Sequence, residues 1–185
     1  WSYSLALLLA TIAAVAIAIL ASYRRGAPGA ASLIVLSSAM AVWTSFYALH
    51  FAAQSEAVRL VWLKMTYLGV LTVPTAFLAF AIRFSNRGYQ LKKRVMALFL
   101  IEPLLTFLML WWDPQGLFFG GRIPSGMILS GGPWFWFNVV YSYSLIFVAL
   151  VLLIAAYRQI STIYRAQALA VMGGAFLPIL VDVAG

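Results

Sequence analysis

The stretch "YSLALLLATIAAVAIAILASY", residues 3–23, carries no charged side chain, no glycine and no proline. As a helix rising 1.5 Å per residue it covers about 30 Å, the thickness of a bilayer's hydrocarbon core. A helix apolar on every side has to be buried on every side, in protein or in lipid. Five further runs follow, at roughly 30–52, 58–83, 95–112, 134–157 and 166–184. The chain cannot hide six such helices from water, because 65% of it is hydrophobic and only 9% charged. Soluble domains are about 25% charged. In lipid, backbone groups must be satisfied within the spanning segment, and runs of about 20 residues do this as helices. The expectation is an all-α membrane protein, one domain over residues 1–185 with six visible transmembrane helices.

Orientation follows from the short links. Arg24, Arg25, Arg83, Arg87, Lys92, Lys93, Arg94, Arg158 and Arg165 lie on one side, while Arg59, Lys64 and Arg122 lie near the other. The rich side is expected to be cytoplasmic, with the N-terminus outside, in the inner (plasma) membrane. This pattern explains the net charge of +8 as topogenic and leaves nucleic acid out as a partner. An outside N-terminus and six spans put the last residue outside too. The chain ends within apolar sequence at "FLPILVDVAG", which we read as truncation ahead of a seventh helix.

The basic link "RFSNRGYQLKKR" suits anionic lipid headgroups. The outer link at 113–133 is long and rich in Gly and Pro. Its apolar patches Leu117–Phe119 and Met127–Leu129 suggest two short strands, a β-hairpin capping the outer mouth. Pro74, Pro103 and Pro178 are expected to kink spans three, four and six. Each frees the carbonyl four residues back, which packing or a hydroxyl must then satisfy.

Candidate site residues fall into stripes and buried charges. Trp43, Phe46, Tyr47 and His50 share one face of span two, and Trp134, Asn138 and Tyr141 form a stripe on span five. With Tyr67, these faces either line an outward-opening pocket for a small amphipathic ligand or pack helices together. Trp111, Trp112 and Trp136 read first as an interfacial belt. Four ionisable groups lie in or near the hydrocarbon, where such groups mark functional sites and need partners. Lys64 lies about 9 Å and Asp182 about 8 Å below the outer boundary, a match that suggests a pair. Glu102 lies near mid-membrane, either protonated, reached by Lys64, or hydrogen-bonded to hydroxyls. His50 falls at the outer interface and is expected to be solvated. Small residues every fourth position, Ala10, Ala14 and Ala18 in span one and Ala166, Ala170 and Gly174 in span six, allow close helix approach or a homodimer face.

No nucleotide-binding loop, HExxH zinc motif or catalytic Ser-His-Asp set is present, and the chain lacks cysteine. The segment is therefore read as non-enzymatic and without cofactor or metal. Two function classes remain. One is a receptor for a small extracellular or membrane-borne ligand. The other is a small transporter or ion/proton channel using Lys64, Glu102 and Asp182.

The stretches "WLKMTYLGVLTVPTAFLAFAIRFSNR", "IEPLLTFLMLWWDPQGLFF", "GPWFWFNVVYSYSLIFVALVLL" and "YRAQALAVMGGAFLPILVDVAG" occur in this order. Together they resemble the seven-helix transmembrane N-terminal sensor region of histidine kinases and related cyclase-linked receptors. The resemblance covers about Trp43 to Gly185. It implies an input domain of a two-component system, with a seventh helix and a cytoplasmic output domain beyond. Asp182 stands where that family often has Asn, and the family's frequent His after span four is replaced around Gln115.

Overall fold

The computed structural model describes residues 2–27, 29–85, 93–120 and 131–157. Five α-helices cover most of these: α1 (Ser2–Tyr23), α2 (Ala30–Ala52), α3 (Glu56–Phe84), α4 (Lys93–Trp112) and α5 (Pro133–Tyr157). Their ends fall close to the boundaries set by the apolar runs. The sixth expected span, with Asp182, Pro178 and the stripe Ala166–Ala170–Gly174, lies outside the described residues. Four of the five helices are long and apolar enough to cross a membrane, and the apolar part of α4, Ala97–Trp112, is shorter.

The bundle is inverted relative to a soluble one. Leu9, Ile12 and Leu20 on α1 are each about two-thirds exposed, while α3 carries the buried core. Helix α3 packs against α2, α4 and α5, and α1 touches chiefly α2. The core runs through Leu36 of α2, Phe77, Leu78, Phe80 and Ala81 of α3, and Leu145, Ala149 and Leu153 of α5. Helix association in lipid rests on close packing and interhelical hydrogen bonds. Both are present. Gly69 lets α3 approach α2 so closely that a Cβ there would lie 2.6 Å from the Trp43 Cβ. Thr11 and Thr44 share a 2.7 Å hydrogen bond between α1 and α2. Of the small residues expected to pack α1, Ala14 is buried and Ala10 exposed.

The outer link does not begin as a strand. After α4, Asp113 and Gln115 take left-handed backbone conformations (φ 37° and 59°) around a 3-10 turn, Pro114–Gly116. Leu117–Phe119 continue as turn, and no strand occurs among the described residues. The expected β-hairpin is thus corrected in its first half, while Met127–Leu129 lies outside the described residues. The physical reason is burial. Phe118 and Phe119 turn inward against Leu110, Tyr67 and Phe135, forming an aromatic plug that a two-stranded cap would have held away from the bundle. Asp113 Oδ1 accepts the Phe118 N–H at 2.7 Å. The N–H of Gly132 donates to the Phe118 carbonyl at 2.7 Å and that of Trp134 to the Leu117 carbonyl at 3.0 Å, which seats the start of α5 on the turn.

Candidate ligand cleft and its polar seam

Three faces meet in a cleft of about 390 Å³, lined by α2, α3 and α5. Ligand pockets commonly fall between about 300 and 1,000 Å³, with apolar walls and few polar groups. Of the residues expected to bind a ligand, Trp43, Tyr47, Tyr67 and Asn138 line this cleft. Trp136 lines it too, although more than half exposed as an interfacial tryptophan would be. The polar wall residues Thr66, Ser142 and Tyr143 were not anticipated. Their signal was present: Asn138 and Ser142 lie four apart on α5, as do Trp62 and Thr66 on α3. Thr66 bonds back to the Trp62 carbonyl at 2.9 Å, so its hydroxyl proton is spent within α3.

Trp134 and Tyr141 turn out to serve packing, together with Asn138, across a seam between α4 and α5. The Trp134 indole N–H donates to Thr106 Oγ1 at 2.9 Å, and the Thr106 hydroxyl donates to Glu102 Oε1 at 2.7 Å. Asn138 Nδ2 donates to the same oxygen at 2.9 Å. Tyr141 O–H donates to the Phe99 carbonyl at 2.9 Å. That carbonyl is the one Pro103 deprives of its helical donor, so a hydroxyl does satisfy it. The acceptor positions 99, 102 and 106 ascend α4 by three and four residues, while 141, 138 and 134 descend α5 by the same steps. The two backbones approach closely at few points, so these long side chains bridge them.

Glu102 is therefore partnered by a hydroxyl and an amide rather than by Lys64. It is 9% exposed, and its Oε2 meets no hydrogen-bond donor among the described residues. The Lys64 ammonium lies 5.4 Å from the Trp111 ring centre and 5.8 Å from that of Phe119. Aromatic faces attract a cation by their quadrupole. The proposed pairing with Asp182 falls outside the described residues, and Lys64 and Glu102 are not brought into one relay.

His50 corrects another expectation. It is 2% exposed rather than solvated. Its Nδ1–H donates to the Arg59 carbonyl at 2.9 Å, and Arg59 Nε donates to the Ala53 carbonyl at 3.1 Å. A carbonyl only accepts, so Nδ1 carries the proton. The pair latches the tight α2–α3 turn and stacks below Tyr47 (ring centres 5.7 Å apart), outside the cleft lining. Depth counting put His50 at the surface because it ignored the turn that folds over it. Among the described residues no cluster of three or more His, Cys, Asp or Glu could hold a metal.

The fold and site define a multi-pass membrane protein with a ligand-sized cleft. Residues 6–184 match the family described as the N-terminal 7TM region of histidine kinase, and the chain belongs to that family. No curated protein and no solved structure matches it. Membership makes the chain a sensor input domain.

Proposed function

We propose that the domain detects a small molecule or lipid arriving from outside or from the outer leaflet, bound in the cleft between α2, α3 and α5. In this reading the N-terminus is outside, in the plasma membrane, and the signal passes to a cytoplasmic kinase or cyclase domain in cis within a homodimer. The segment itself performs no chemistry. The observation that carries the proposal is Asn138, which lines the cleft and also bonds Glu102 of α4. A ligand that engages Asn138 therefore acts on the α4–α5 seam.

A ligand shifts an equilibrium only by its differential affinity for two states. A tenfold change in output needs about 1.4 kcal/mol, within reach of one hydrogen bond made in one state only. The test is to fill the cleft in the intact receptor. Ile146→Trp and Met40→Trp, both at cleft-lining positions, should change basal output. Leu9→Trp and Leu20→Trp, on the exposed face of α1, should not. Unchanged output from both cleft variants at normal membrane yield would sink the reading.

A further inference from the structure

The chemistry of the cleft wall narrows what it can hold. Among the described residues that line it there is no Asp, Glu, Lys, Arg or His. Glu102 stands behind Asn138 with Oε1 occupied, and Lys64 is held over aromatic rings elsewhere. A charged ligand would lose its hydration in this cleft and find no counter-charge on its described walls, a loss that costs several kcal/mol even after relaxation.

Asn138 supplies the opposite preference. It is 4% exposed and lines the cleft. A carboxamide offers two N–H donors and a carbonyl with two lone pairs, and among the described residues one N–H is used, on Glu102. A second N–H and the carbonyl oxygen remain for a ligand. Glu102 fixes which way the amide faces, because only the NH₂ group can meet its oxygen. Opposite, Pro74 has no N–H to give to the Val70 carbonyl, and both residues line the cleft. The remaining lining is largely apolar: Leu36, Met40, Val73, Phe77, Val139 and Ile146.

We propose that the cleft takes an uncharged amphipathic molecule, an apolar chain or ring bearing one hydroxyl or primary amide head, which Asn138 recognises with Glu102 as its positioning residue. Such a head both donates and accepts, matching the free amide sites and the Val70 carbonyl. This inference rests on the sensing role proposed above and names its ligand class. The same head chemistry could arrive from water or along the leaflet, as a short-chain or a long-chain alcohol.

The test uses the intact receptor in membranes and diazirine-bearing octanol, octanoate and octylammonium as photolabels, with sites mapped by mass spectrometry. The octanol probe should label cleft residues of α2, α3 and α5, and the two charged probes should label them at least about tenfold less. Asn138→Leu should lower octanol labelling at least about tenfold, and Ile146→Trp should block it while leaving the Asn138–Glu102 bond in place. Unlabelled octanol competing best from water identifies an aqueous ligand. Oleyl alcohol preloaded in the vesicles competing best identifies a leaflet-borne one. Equal cleft labelling by all three head groups, wild-type labelling of Asn138→Leu, or labelling confined to the exposed face of α1 would overturn the proposal. If head groups are not distinguished but Ile146→Trp still shifts output, the ligand class falls and the sensing role stands. If Ile146→Trp and Met40→Trp both leave output unchanged at normal membrane yield, the sensing role falls.

Discussion

Tyr141 and Pro103 offer a direct measurement of how this bundle stabilises a proline inside a spanning helix. Pro103 cannot donate to Phe99, and Tyr141 donates there instead at 2.9 Å. Tyr141→Phe keeps the ring and removes one hydroxyl, so no cavity forms. Interhelical hydrogen bonds in a membrane average about 0.6 kcal/mol and reach about 1.7. Stranding a buried acceptor costs about 1–3 kcal/mol. The two ranges overlap near 1 kcal/mol, which is the expected loss in the wild-type background. In a Pro103→Ala background residue 103 regains its N–H and can bond Phe99 within α4. Tyr141→Phe should then cost no more than a few tenths of a kcal/mol, giving a coupling of about 1 kcal/mol across the cycle. The assay is equilibrium unfolding of the four proteins in mixed micelles with rising denaturing detergent. Equal costs of Tyr141→Phe in both backgrounds, within about 0.3 kcal/mol, would refute the assignment of Tyr141 as the replacement donor.

Four further outcomes are expected. Gly69→Ala should destabilise by about 1–3 kcal/mol in the same assay, because its Cβ would press on Trp43 and force α2 away from α3. Gln115→Gly should stabilise by about 1 kcal/mol, since Gln115 sits at φ 59° where a side chain is strained, and Asp113→Ala should speed amide exchange at Leu117–Phe119 by releasing the Phe118 N–H. As the chain has no cysteine, single Cys substitutions can be labelled cleanly. Reagent added from outside should reach 113–133 and not 84–93, and the reverse pattern would overturn the orientation.

Much of the bundle was legible because length and apolar content are local properties. The five described helices begin and end within a few residues of the apolar runs. Periodicity also groups residues by face. It could not name the neighbour opposite each face: Trp43 and Tyr47 border the cleft, while Trp134 and Tyr141, equally aromatic and equally spaced, are spent on α4. Depth arithmetic gave Lys64 a height but not its aromatic neighbours: the ammonium lies over Trp111 and Phe119, which come from a different helix and from the link. The apolar patch at Leu117–Phe119 looked like a strand because glycines flank it. Only tertiary packing shows that its two phenylalanines fill the outer end of the bundle.

The matched steps along α4 and α5 restrict how these two helices can move. A slide of α5 along α4 out of this register would break the Trp134, Asn138 and Tyr141 hydrogen bonds together. Tilting about the seam stretches the end contacts unequally and can keep the central one. Asn138 is that central contact, so it sits on the pivot line, where a small tilt becomes the largest displacement at the helix ends. A message carried by this pair is a swing rather than a piston stroke.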